Sequence, residues 1–292
     1  MDILDHKAGL LTFGKDFELE EAKDIEFMSK LIEQATPLWP PGSTRAYHPL
    51  TYGFLVDQLV TRLDPKHRTV AQFYREEIWK TGIDFSIGSE GLNRDSIAKI
   101  CDPSTSQSVM AHAWRPLRSM VELRYFRFLY TFWKHITSGG LAMTAANYPS
   151  FLGIMGKDPI PYNDPAIRAL PLVSCMGIGT AAGFAKAVHQ VIKKKLIPEK
   201  LWNVINKPIA TEHDMVLLKD MSFGHGFFYH PHPVTKEEWI IRIVGNGLQV
   251  VEMDRENEII TVMLRNGLRP GDDGMAQFEK ISASIFETIL EK

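Results

Sequence analysis

Cysteine is scarce, with two in 292 residues. Cys101 and Cys175 form no Cys-x-x-Cys pair and no metal-ligand spacing, which excludes a disulfide scaffold and a zinc ribbon. Net charge of one sign is also missing. Lys plus Arg total 33 against 35 for Asp plus Glu, a formal charge of -2, so no global field draws the chain to nucleic acid or anionic lipid. No run reaches the roughly 20 apolar residues of a membrane span; the most apolar stretch, 170–184, is short and rich in Gly and Ala. The first residues lack the cationic head and apolar stretch of a secretion signal. The catalytic signatures Gly-x-Ser-x-Gly, Gly-x-Gly-x-x-Gly, the Walker loop and His-Glu-x-x-His are absent. No internal repeat appears. An intracellular protein, cytoplasmic or alternatively mitochondrial, with no cofactor, no nucleic-acid partner and no membrane span is the expectation.

What is present is an ordinary globular balance, 45% hydrophobic and 23% charged. Residues 18–200 read mainly as helix. Leu19, Ala22, Ile25, Met28, Ile32 and Ala35 recur at helical steps and predict one helix stopped by Pro37, Pro40 and Pro41. A second helix is expected over 50–63. A third starts at Thr69, with Gln72 completing a capping box. Arg118, Arg124 and Arg127 interleave with Tyr125, Phe126, Phe128, Tyr130 and Trp133. That mixture suits single-stranded nucleic acid, but with no net positive charge it reads as a core helix with arginines outward. Residues 148–164 read as a loop, and 183–195 as a helix ending in three lysines.

From residue 224 the pattern changes to short β-type runs at 227–229, 239–244, 248–253 and 259–264. Asp254-Arg255-Glu256-Asn257 is a polar hairpin turn between the last two. A final helix from Gly274 carries Met275, Phe278, Ile281, Ile285 and Ile289. Helices first, antiparallel strands next and a covering helix last predict an α+β fold within one domain, residues 1–292.

Two local patterns invite chemistry. His230-Pro231-His232 with His225 nearby matches no ordinary metal spacing and has no local acid or thiol to complete it. Ser96-Ile97-Ala98-Lys99 is a Ser-x-x-Lys, which on a helix sets an amine one turn from a hydroxyl it could deprotonate. Four residues of this kind arise readily by chance.

Larger blocks carry a resemblance. Pro37-Leu38-Trp39-Pro40-Pro41-Gly42, then Tyr47-His48-Pro49-Leu50-Thr51-Tyr52-Gly53, preceded by His6 and Gly9-Leu10, resemble the serine β-lactamase-like family in its class C-like esterase branch. Glu76-Glu77 with Gly82-Ile83-Asp84-Phe85, Asn163-Asp164-Pro165-Ala166, Gly177-Ile178-Gly179-Thr180-Ala181 and Gly224-His225-Gly226-Phe227 continue it in the same order. The resemblance implies a β-lactamase/transpeptidase-like fold and a small acyl substrate. A Ser-x-x-Lys serine would attack an ester, amide or lactam carbonyl, a tyrosine would move protons, and a strand motif with a backbone N–H would hold the oxyanion. Tyr47 matches the tyrosine, with His48 beside it on the substrate side. Gly245-Asn246-Gly247-Leu248-Gln249 matches the segment after the strand motif. This gives Gly245 and the Asn246 backbone as the oxyanion region and Gly247 as a substrate-lining position.

Two departures accompany it. In the family the Ser-x-x-Lys segment lies well upstream of the tyrosine, so its counterpart would fall before Met1, and Ser96–Lys99 comes in the wrong order. Ile243 and Val244 stand where a charged or proton-bearing strand pair belongs, Arg242 points to the opposite face, and Leu248 replaces a glycine that keeps the site open. The chain is therefore expected to be catalytically incompetent alone. It is either a β-lactamase-related hydrolase domain lacking its N-terminal strands, or a non-catalytic binding or scaffold module. On either reading a sheet edge is left open for a partner chain.

Overall fold

The computed structural model describes residues 1–101, 133, 140–153, 159–268 and 272–290. The Arg/aromatic stretch at 115–135 lies outside the described residues except for Trp133. The first expected helix is two, α1 (Leu19–Lys23) and α2 (Ile25–Glu33), because Asp24 is extended and its carboxylate accepts the Glu26 and Phe27 N–H groups, capping α2. Helix α3 (Thr51–Leu63) follows the proline-rich turn. Helix α4 (Val70–Phe73) opens on the Thr69/Gln72 capping box and runs into a π-helical turn, Tyr74–Ile78. Strands β1 (Phe85–Ile87) and β2 (Gly177–Gly179) pair antiparallel. Between and after them lie α5 (Leu141–Asn147), α6 (Pro165–Arg168), α7 (Ala181–Lys193) and α8 (Glu199–Ile205).

Six strands then form one antiparallel meander: β3 (Ala210–Asp214), β4 (Lys219–Gly224), β5 (Phe227–Pro231), β6 (Trp239–Gly245), β7 (Gln249–Asp254) and β8 (Ile259–Met263). The sheet thus begins before residue 224. Strands β3 and β4 escaped detection because Ala-Thr-Glu-His-Asp and Lys-Asp-Met-Ser-Phe-Gly hold little apolar alternation. They pair over five positions, from Ala210↔Phe223 to Asp214↔Lys219. Helix α9 (Asp272–Leu290) closes the chain.

The sheet is covered on two faces. Trp202 and Ile205 of α8, with Val188 and Ile192 of α7, pack on Tyr229, Ile241, Met253 and Ile260. On the other face Phe286 of α9 packs on Ile240 and Ile259, and Phe278 on Val250 and Leu248. The expected apolar face of α9 is therefore corrected. Met275, Phe278, Ser282 and Phe286 meet the sheet, while Ile281, Ile285 and Ile289 stay exposed. Ser282 takes a core position because Glu252 lies beneath it and accepts its hydroxyl at 2.7 Å.

Glu252 is fully buried. Its Oε1 accepts Arg242 Nε at 2.7 Å and lies 2.6 Å from Arg242 Nη2; its Oε2 accepts Thr261 and Ser282. Register makes this possible, since Arg242, Glu252 and Thr261 are successive cross-strand partners on one face. The helical layer has its own core around Phe13, Phe17, Met28, Phe54, Leu152 and Leu172. Among the described residues no helix is long and apolar enough to cross a membrane.

Candidate active site

Tyr47 stands on the segment between the proline-rich turn and α3. That segment is laced to the chain's start. Leu38 N–H donates to Gly9 O, Gly42 N–H to Lys7 O and Ala46 N–H to His6 O. Gly9 has φ +75, and a Cβ there would lie 2.8 Å from Trp39 O, so only glycine allows the approach. His48, buried, fixes the same junction. Its Nε2 accepts Leu10 N–H at 3.0 Å, and its Nδ1 meets Ala46 O at 2.6 Å. Both ring nitrogens are thereby used inside the fold.

Beneath Tyr47 lies an ion pair. Arg45 and Asp214 side chains are both fully buried, with Nε and Oδ2 3.3 Å apart. The angle there is too poor for a hydrogen bond, so charge rather than a shared proton joins them. Asp214 Oδ1 accepts three N–H groups, from Tyr47, Val216 and Leu217, at 2.9–3.1 Å. Arg45 Nη1 donates to Asp5 O at 2.7 Å, and the guanidinium lies 3.9 Å from the Phe223 ring centre and 5.0 Å from that of Phe228. Asp5 Oδ1 in turn accepts Gly226 N–H from the β4–β5 turn. His6 sits among Tyr47, Tyr52, His48 and Phe228, its ring 4.7–5.7 Å from each.

Burial sets the charges. It pushes the Tyr47 phenol up to about 12, and Cys175 and Asp214 add to the effect. It carries His48 down to about 4 against the pull of the Ala46 carbonyl. His6 is held well below its ordinary value by burial, then by His48 and Arg45. Burial raises Cys175 to about 12 against the opposing pull of Ser174 and Tyr162. Tyr47, Tyr162 and Cys175 thus form a cluster of protonated, uncharged groups at neutral pH.

The depressed imidazole predicts acid sensitivity. The unfolded His48 takes a proton near pH 6.5 and the folded one only near 4, so its stabilising contribution is complete above pH 6.5 and lost as pH falls toward 4. At pH 5 this amounts to about 2 kcal/mol. Asp57 works the other way: burial raises its carboxyl to about 6, so it regains stability as pH falls through that range. The clean measurement is a difference. Urea unfolding at pH 7.5 and pH 5 should show a larger loss for the native chain than for His48→Gln; equal losses would refute the assignment.

The other expected positions lie elsewhere in the contact network. Gly245, Asn246 and Gly247 form the β6–β7 turn, closed by Leu248 N–H to Gly245 O at 3.2 Å. Gly247 has φ +74, and a Cβ would fall 2.2 Å from Leu268 Cδ2, so this glycine makes room for the chain after β8. Gln249 holds that chain at both ends of Arg265, with Nε2 to its O and its N–H to Oε1, each 2.8 Å. Leu248 turns into the α9 core beside Phe278 and Val250; its side chain fills that core. Ile243 is exposed while Arg242 is buried, the opposite-face arrangement that strand alternation requires; Val244, on the Arg242 face, is exposed as well. Among the described residues no hydrogen bond or ring contact links Tyr47 or His48 to the β6–β7 turn.

Ser96 is not on a helix. It ends a 3-10 turn, Arg94–Ser96; Ile97 is extended, and the exposed hydroxyl donates to Asn93 O at 2.7 Å. Lys99 is therefore not stacked over it. His232 is buried and spoken for: Nδ1 accepts the N–H groups of Val234 and Thr235, and Nε2 meets Asp254 Oδ2 at 3.2 Å. Among the described residues no three acids, histidines or cysteines gather for a metal.

The family model described as Beta-lactamase matches residues 1–283. The chain belongs to the beta-lactamase family. Solved structures agree in fold. EstA from Arthrobacter nitroguajacolicus Rue61a superposes with a TM-score of 0.74 at 20% identity, over 99% of this chain and 72% of its own. A penicillin-binding protein homolog from Caulobacter crescentus gives 0.69 at 19%, over 98% and 70%. A family VIII carboxylesterase gives 0.68 at 15%, over 97% and 70%. No curated protein matches. In this beta-lactamase-family chain, sequence reasoning named Tyr47 and His48 as candidates and did not name the residues packed around them, Asp5, Arg45, Asp214, Tyr162 and Cys175. The one available signal was an Arg two residues before the tyrosine, a charge on an otherwise apolar, turn-rich segment.

Proposed function

We propose that these 292 residues form a beta-lactamase-family acyl-hydrolase domain that holds the tyrosine side of a serine-hydrolase site and does not itself turn over substrate. One observation carries this reading. The groups raising the Tyr47 phenol are burial, Cys175 and Asp214, and Arg45, two residues earlier, is committed to Asp214 and the Asp5 carbonyl. A phenol serves as a base near neutral pH only when positive charge lowers its pKa. Here it stays a proton donor. The exposed Ser96, with no lysine stacked over it, and Ile243 in the strand-motif position support the same conclusion.

The esterase and carboxylesterase names of two neighbours make a simple ester the first substrate class to test. The purified chain, incubated with a chromogenic short-chain ester and separately with a serine-reactive fluorophosphonate, should give no turnover above the uncatalysed rate and no adduct by mass spectrometry. Turnover abolished by Tyr47→Phe, or an adduct on any serine, would replace this reading with that of an active hydrolase. A binding or scaffold module is the second reading, favoured by the uncharged Tyr47–Tyr162–Cys175 cluster.

A further inference from the structure

Residues 6–10 and 45–48 meet at a seam beside Tyr47, and imidazole nitrogens hold part of it. His48 N–H donates to His6 Nδ1 at 3.2 Å, and Leu10 N–H donates to His48 Nε2 at 3.0 Å. Each histidine thus accepts a backbone N–H from the opposite segment. His48 Nδ1 lies 2.6 Å from Ala46 O, so that nitrogen carries the ring proton and Nε2 keeps its lone pair. Both rings are buried. A protonated imidazole has two donors and no acceptor, so a proton on either accepting nitrogen sets N–H against N–H. His6 is also held at φ +60, a left-handed conformation that is costly for a residue with a side chain. The seam therefore keeps its shape against backbone resistance.

The charged neighbours do not favour a cation there. Among the described residues, Asp5 and Lys7 flank His6, Arg45 and Tyr47 precede His48, Tyr52 comes from α3 and Asp214 from β3. Lys7 is paired with Glu212. Asp5 Oδ1 holds Gly226 N–H, and Asp214 holds Arg45 and three N–H groups, so both carboxylates are already occupied. Burial, His48 and Arg45 all oppose a charge on His6, and at His48 burial outweighs the attraction of Asp214. Trp39 and Phe228 add only ring faces. His225, in the β4–β5 turn, makes no ring contact with either histidine among the described residues. Asp57 of α3 serves Val70 N–H rather than the seam.

We propose that this seam is an acid-operated latch. Protonation of His6 and His48 parts residues 6–10 from residues 45–48 while the sheet and the helical core stay folded. Tyr47, carried between the two segments' bonds, then leaves Tyr162 and Cys175. Once parted, both rings reach water and take up protons together, so the opening is steep in pH. It needs no turnover and stands whether or not the chain hydrolyses a substrate.

Hydrogen exchange of the full chain, read by mass spectrometry at pH 7.5 and pH 5 with labelling times scaled for the intrinsic rate, tests this. With His48 titrating near 4 when closed and 6.5 when open, it alone should raise the opening constant about thirtyfold between the two conditions, and His6 adds to the rise. Peptides spanning residues 6–10 and 45–48 should lose that much protection, while those of β6 and β7 keep theirs. In the double variant His6→Asn, His48→Gln the amide oxygens replace the two accepting nitrogens and take up no proton, and Asn tolerates the left-handed backbone. The rise should vanish. Seam peptides equally protected at both pH values, protection lost evenly along the chain, or an undiminished rise in the double variant would each overturn the latch. Should that variant fail to fold, the native chain decides by NMR. The two ring signals should titrate together with the loss of seam protection; rings that titrate while the seam amides stay protected would overturn it.

Discussion

Asp214→Ala should lower the stability of this chain by about 3–5 kcal/mol, the range found when one partner of a buried ion pair is removed. Arg45 would keep its charge in a fully buried position with only the Asp5 carbonyl and two aromatic faces to receive it. Three N–H groups, of Tyr47, Val216 and Leu217, would lose their shared acceptor. For a chain of this size the melting temperature should fall by on the order of 10 °C. Asp214→Asn, which keeps the acceptor oxygen and loses the charge, should fall less. Thermal and urea denaturation of the two variants give the ranking; a loss below about 1 kcal/mol for the alanine variant would show that Arg45 is solvated in a way its burial denies.

The second large effect is expected at Glu252. Arg242, Thr261 and Ser282 all converge on this one carboxylate, so Glu252→Ala strands a buried guanidinium and frees the middle of α9 from the sheet. A loss of about 3–5 kcal/mol is expected, against about 1 kcal/mol for Ser282→Ala, which removes one hydrogen bond. Hydrogen exchange separates the two consequences. Amides of α9 should exchange faster in Glu252→Ala, while those of α3, in the other layer, keep their protection. Uniform loss of protection throughout the chain would mean that α9 docking and the helical layer are one cooperative unit.

Much of this fold is written in periodicity. Helices α3, α7 and α9 and strands β5 to β8 lie close to where their apolar spacing puts them, because each buries a face of its own. The failures share a cause. Asp24 splits a continuous apolar period by capping, a local competition that spacing does not register. Strands β3 and β4 are polar because β3 is the outer strand of the sheet and carries ion pairs such as Lys7–Glu212, leaving little hydrophobic alternation to read. The site shows the same division. Tyr47 was legible through its neighbours in sequence. The carboxylate that holds its backbone N–H, Asp214, lies 167 positions away, and nothing in a polar Ala-Thr-Glu-His-Asp run announces that its last residue will be fully enclosed.

The meander has a consequence for how the chain acquires its shape. Each strand is hydrogen-bonded to its immediate successor, so every pairing in the six-stranded sheet closes a loop of only a few residues and carries a small entropic penalty. The bonds that fasten this sheet to the start of the chain, Lys7 to Glu212 and Asp5 to Gly226, span more than two hundred residues. During synthesis Asp5 and Lys7 must therefore wait, their partners unmade, until Glu212 and Gly226, most of the way along these 292 residues, have emerged.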